Sequence, residues 1–137
     1  SVYGNTKKAV ELLAEELKKL GCKNVIVNDL ARCDMSKAVA DAFRYGKLVL
    51  ATLTYNGDVF PFMRDFIDHL TERNYQNRTI GLIENGSWAP TAAKVMKAKF
   101  EKSSNINFTD TVVTIKSAVD DVAKESIKKL AQEIYNA

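Results

Sequence analysis

Three short segments concentrate the polar and aromatic side chains that could hold a ligand. The first is Ser1-Val2-Tyr3-Gly4-Asn5-Thr6, directly ahead of an amphipathic run from Lys7 to Leu20. Small residues let backbone N–H groups close around an anion, and Ser1 and Thr6 add hydroxyl donors. The start of a helix contributes further unpaired N–H groups and a partial positive charge. No Lys follows the glycine, as one does in loops that cradle nucleoside triphosphates. The chemistry expected here is therefore a phosphate held mainly by neutral donors.

The second segment, Thr52-Leu53-Thr54-Tyr55-Asn56-Gly57-Asp58, combines hydroxyls, an aromatic ring and a turn-forming Asn-Gly pair. The third, Glu84-Asn85-Gly86-Ser87-Trp88-Ala89-Pro90, holds the only Trp of the chain. A Tyr and a Trp on neighbouring loops could sandwich a flat ring, with stacking adding about 0.5–1.5 kcal/mol beyond burial. Beside a phosphate loop, such a pair points to a nucleotide-like cofactor, for which FMN is the natural fit. Taken singly, Tyr55 and Trp88 would more simply pack on loop surfaces or at a subunit contact. The three segments together favour the ligand.

Other candidates are weaker. His69, the only histidine, falls inside an expected helix with no partner at metal-ligand spacing, so no metal site is expected. Asp65 and Asp68 share that helix as solvated charges. Asp58 and Glu84 sit in the ligand segments, where a carboxylate close to a flavin would lower its potential. No nucleophile–base pair can be assembled, and no residue is expected to act as a catalytic acid or base.

The elements that must position these segments follow from periodicity. Val10, Leu13, Leu17 and Leu20 mark a helix from Thr6 to a stop at Gly21. Val25-Ile26-Val27 is expected as a short strand, and Asp34 as the cap of a helix reaching about Tyr45. Strands are expected at 47–53, 79–83 and 108–115, with helices at 60–72, 90–100 and 119–135. Alternating strands and helices imply a single α/β domain over 1–137, a doubly wound parallel sheet with helices on both faces. Ligands of such sheets bind beyond the carboxyl ends of the strands, where all three segments fall. One further strand would complete five βα units, so an apolar strand of about five or six residues is expected ahead of Ser1.

At 137 residues the chain is the size of one domain. Its net charge of +3 is small, and its lysines lie on helix faces beside glutamates, which excludes a nucleic-acid stripe. No apolar run is long enough to span a membrane. Cys22 and Cys33 lack CxxC spacing and are read as free thiols of a reducing, cytoplasmic compartment.

Taken together, SxYGNT at the start, LATLTYNGDVFPFM at 50–63 and GLIENGSWAP at 81–90 resemble the three FMN-binding loops of the flavodoxin-like domain of flavodiiron proteins (A-type flavoproteins). The resemblance runs the length of the chain in order. It implies a flavodoxin-like sheet of five parallel strands in the order 2-1-3-4-5, with the first strand lying ahead of Ser1. It implies that Ser1, Tyr3, Gly4, Asn5 and Thr6 hold the FMN phosphate. Thr52, Thr54, Tyr55, Asn56 and Gly57 would flank one side of the ring. Asn85, Gly86, Ser87 and Trp88 would flank the other, with backbone N–H groups toward its pyrimidine edge. Family members often carry Tyr-Gly-Trp-Ser at this last position, so the aromatic here is displaced by a residue or two.

In that family the domain follows a metallo-β-lactamase-like domain with a non-haem diiron centre. FMN passes electrons to the irons, which reduce oxygen or nitric oxide, and the electrons come from rubredoxin or a flavin reductase. One histidine cannot build such an iron site. The resemblance therefore implies an electron-transfer module of a longer oxidoreductase, whose parent can form homo-oligomers. A flavodoxin-like NAD(P)H:quinone oxidoreductase is the enzyme alternative, although the loops are short for a quinone pocket. A phospho-receiver domain is the signalling alternative, but it needs an Asp at the end of the third strand, where Ala51-Thr52 stand.

Overall fold

The computed structural model describes residues 2–55, 58–59, 61–86, 91–116 and 118–137, with side chains for 5–52, 61–86, 91–116 and 118–137. The elements in chain order are α1 (Val2–Leu20), α2 (Met35–Arg44), β1 (Lys47–Tyr55), β2 (Asp58–Val59), α3 (Pro61–Glu72), β3 (Arg78–Asn85), α4 (Ala92–Lys99), β4 (Ile106–Ile115) and α5 (Asp121–Asn136).

Local chemistry sets most boundaries. Gly21 takes φ of +110° just past α1, while its N–H donates to the Lys18 carbonyl and that of Cys22 to the Leu17 carbonyl. This paired closure suits a residue without Cβ. Asp34 caps α2 by accepting from the Ser36 N–H, and Asp120 caps α5 by accepting from the Ala123 N–H. Helix α1 starts at Val2 rather than at the expected Thr6. Once the apolar stripe from Ala9 to Leu17 docks, each added residue gains one helical bond, and no proline opposes the extension.

β1, β3 and β4 pair in parallel in the order β1-β3-β4, and β2 folds back antiparallel onto β1. The α/β doubly wound expectation holds, with these three strands in the relative order expected of the third to fifth. β3 is central and buried on both faces. Leu50, Ile80 and Leu82 face α2, α3 and α4, whereas Ile83, Val113 and Ile115 face α1 and α5. Gly81 is where α5 comes closest: a Cβ there would sit 2.8 Å from Leu130 Cδ1.

One expectation is corrected. Val25-Ile26-Val27 belongs to no strand, and Ile26 and Val27 are 50% and 56% exposed. The reason is the sheet order. In 2-1-3-4-5 that segment pairs only with the first strand, and no such strand lies beside it among the described residues. The edge of β1 over 47–53, opposite β3, has no strand partner among the described residues. Between it and residues 24–29 lies a cavity of about 550 Å³, lined by Leu13, Leu17, Val25, Val27, Leu50 and Phe66 among others. Side-chain bonds tie the segment to α2: Asn28 Nδ2 donates to Asp41 Oδ2 (3.0 Å), and Lys37 Nζ donates to both Asn28 and Asp41.

The β3–β4 ladder slips between Ile80 and Leu82, so β4 bulges around 109–111. Glu133 of α5 covers this bulge by accepting from the Thr111 N–H at 2.9 Å. Burial pushes the Glu133 carboxyl up, but hydrogen bonds from Thr111 and Asp110 outweigh it and the net displacement is downward. A depressed carboxyl stabilises the fold above its unfolded pKa, and that contribution is lost as pH falls through the folded value. Glu133→Ala is therefore expected to cost about 1 kcal/mol at neutral pH. In chemical denaturation the gap to wild type should narrow as pH falls below the ordinary carboxyl value of 4.5. A pH-independent gap would remove the charge from this account.

Candidate functional site

The strand registers bring the starts of the second and third expected ligand segments to one rim. Thr52, Glu84 and Thr114 lie level across β1, β3 and β4, and Leu53, Asn85 and Ile115 lie one residue further on. Among the described residues, the buried polar and charged ones are Thr52, Glu84 and Asn85, all in this band. Buried polar groups need partners, and these have been placed where the strands end rather than in the core.

Successive residues of β3 point to opposite faces, so Glu84 and Asn85 bind opposite helical layers. Glu84 Oε1 accepts from the Ala93 N–H in the first turn of α4 at 3.2 Å, and Oε2 accepts from Thr114 Oγ1 at 2.9 Å. One carboxyl thus ties β3, β4 and α4 together at the base of the third segment. Asn85, only 1% exposed, donates through Nδ2 to Thr6 Oγ1 at 2.9 Å. The Gly86 N–H donates to the Ile115 carbonyl at 3.0 Å, which moors the start of the third segment to the end of β4.

Of the expected site residues, Thr6 and Asn85 are in contact, Thr52 sits in the same band, and Gly86 follows directly. Asn5 lies beside Thr6 in α1, and Tyr3 and Gly4 are in the first turns of that helix. Thr54 and Tyr55 end β1, where their backbone pairs with Val59 and Asp58. Ser1, Asn56, Gly57, Ser87 and Trp88 lie outside the described residues. His69 is in α3 with its Nδ1 3.3 Å from Arg73 Nη1, away from this rim. Among the described residues no group of three His, Cys, Asp or Glu is placed to hold a metal, and no helix is long and apolar enough to cross a membrane.

Sequence reasoning placed Glu84 beside a ligand but missed its role as a strut. The available signal was a carboxylate directly after the apolar run from Ile80 to Ile83, a position that demands buried partners. The link from Asn85 to Thr6 had no signal, because it joins residues 79 apart in the chain.

No family model matches the sequence, and no curated relative matches it. Solved structures do. Rubredoxin oxygen:oxidoreductase from Desulfovibrio gigas superposes with a TM-score of 0.89 at 21% identity, covering 96% of this chain and 32% of that one. A flavodoxin from Streptococcus pneumoniae gives 0.81 at 23% identity over 99% of this chain and 93% of its own. The Flv1 flavodiiron core from Synechocystis gives 0.83 at 16% identity over 99% of this chain and 33% of that one. The chain thus spans about a third of the length of the oxidoreductases and nearly all of the flavodoxin. At these identities the likeness establishes architecture: the chain has the flavodoxin-like fold.

Proposed function

We propose that this chain binds FMN at the carboxyl rim of its sheet and acts as the electron-transfer module of a flavodiiron-type oxidoreductase. The observation that carries the proposal is the Asn85–Thr6 hydrogen bond, which joins the first and third ligand segments at one rim although they are far apart in sequence. The residues suit the group. The α1 N-terminus and the Thr6 hydroxyl offer neutral donors for a phosphate, and Thr52 and Asn85 are buried polar residues in the strands that lead into the ring segments. Ser1, Tyr3, Gly4 and Asn5 would complete the phosphate site. Thr54, Tyr55, Asn56 and Gly57 would flank one side of the ring, with Gly86, Ser87 and Trp88 on the other.

When bound, FMN would accept electrons and pass them on; the chain binds it, orients it and limits its exposure to water. The neighbours' names include rubredoxin and flavodiiron proteins. Rubredoxin or a flavin reductase is accordingly proposed as the donor, and a diiron domain of metallo-β-lactamase type as the acceptor, with oxygen or nitric oxide as the final oxidant. The free thiols of Cys22 and Cys33 suit a reducing cytoplasm.

A titration of the purified chain with FMN and riboflavin, followed by flavin fluorescence, tests the site. Tight FMN binding with little riboflavin binding is expected. Trp88→Ala should weaken FMN up to about tenfold, the worth of one stacked ring. A folded chain that binds no flavin would overturn the proposal.

A further inference from the structure

We propose that Asn85 is a positioning residue that sets the preference for a phosphorylated flavin, by orienting the Thr6 hydroxyl and coupling the phosphate segment to the ring segment. This rests on the FMN reading above and concerns the Asn85 side chain. The amide is held rigidly: Asn85 is the last residue of the central strand β3, is 1% exposed, and is followed by Gly86, which is moored to Ile115. Its Nδ2 donates to Thr6 Oγ1 at 2.9 Å.

A hydroxyl has one proton and two lone pairs. With an amide N–H entering one lone pair, the Thr6 proton cannot point back along that line and must be directed elsewhere. A hydroxyl that accepts one hydrogen bond also becomes a stronger donor in the next, because the two polarise one another inside a protein. A dianionic phosphate drawing on Thr6 would therefore draw on Asn85 as well, and through it on the backbone where the third segment begins. Riboflavin lacks the phosphate and would make no use of this chain of bonds.

The test is a set of FMN and riboflavin titrations on the wild-type chain, Asn85→Ala, Thr6→Val and the double variant, each checked for folding by circular dichroism. Asn85→Ala should cost FMN about tenfold more affinity than it costs riboflavin, as expected for a hydrogen bond linked to a charged group. Thr6→Val should do the same, and the double variant should lose no more than Thr6→Val alone. Equal losses for both flavins in Asn85→Ala, or losses that multiply in the double variant, would make Asn85 merely structural and overturn the inference while leaving the FMN site intact. A folded wild-type chain that binds neither flavin, or both equally, would overturn the phosphate site and this inference with it.

Should Asn85→Ala not fold, the wild-type side-chain amide of Asn85 supplies the same answer by NMR. FMN should shift its resonances differently from riboflavin, and Thr6→Val should abolish the difference. Identical shifts from both ligands would overturn the inference.

Discussion

Fusing an apolar, β-branched segment of about five residues ahead of Ser1 is expected to raise the stability of this chain by roughly 5 kcal/mol. The cavity beside β1 has hydrophobic walls on both helical sides, and its edge strand offers backbone groups over 47–53 without a strand partner among the described residues. Burying a Val or Ile side chain contributes about 1.5–3 kcal/mol, and ordering one residue costs about 1–2 kcal/mol. Each ladder hydrogen bond adds about 1 kcal/mol, so a net gain near 1 kcal/mol per residue is reasonable. At this chain length that corresponds to a rise of about 15 °C in Tm. A Gly-Ser segment of equal length should do nothing. Val25-Ile26-Val27 should gain amide-exchange protection, because it would acquire a strand neighbour. FMN should bind more tightly as well, since the new strand would tether Ser1 to Asn5. An unchanged Tm, or an equal gain from Gly-Ser, would show that the cavity does not take a strand.

Glu84→Ala carries the second large effect. It removes the acceptors of the Ala93 N–H and the Thr114 hydroxyl together, in a site where the carboxyl is 8% exposed. Leaving a buried donor unsatisfied costs about 1–3 kcal/mol, so a loss of about 3 kcal/mol in denaturant unfolding is expected. Glu84→Gln should lose much less. Its carbonyl oxygen can still accept from Ala93, and its amide can donate to Thr114 Oγ1, which has lone pairs to receive it. Comparable losses in the two variants would mean that the charge of Glu84, and not its geometry, holds the rim. An alanine variant as stable as wild type would dismiss the strut altogether. The same pair separates scaffold from cofactor tuning: Glu84→Gln at full FMN occupancy should raise the flavin potential, because a negative charge near the ring disfavours its reduction.

Much of the fold was legible in the sequence because it is encoded locally. The stripe of Val10, Leu13, Leu17 and Leu20 announced α1, Asp34 announced the start of α2, and the apolar runs at 47–53 and 79–83 announced strands covered on both faces. Alternation of strand and helix then implied a parallel sheet, and a parallel sheet implied a ligand rim at its carboxyl end. For that reason the three segments are legible in the sequence itself.

What tertiary structure alone decided depends on partners distant in sequence. Residues 25–27 have every local attribute of a strand, yet a strand exists only when a neighbour completes its ladder. The bulge in β4 depends on Glu133 arriving from α5. Glu84 and Asn85 are adjacent in the chain but are drawn to opposite layers by the alternation of β3, one to α4 and Thr114, the other to Thr6. The sequence determined which residue types would reach the rim. Packing of β3 between two helical layers decided which of them touch, because a buried polar side chain takes whatever partner the neighbouring elements bring within hydrogen-bond distance.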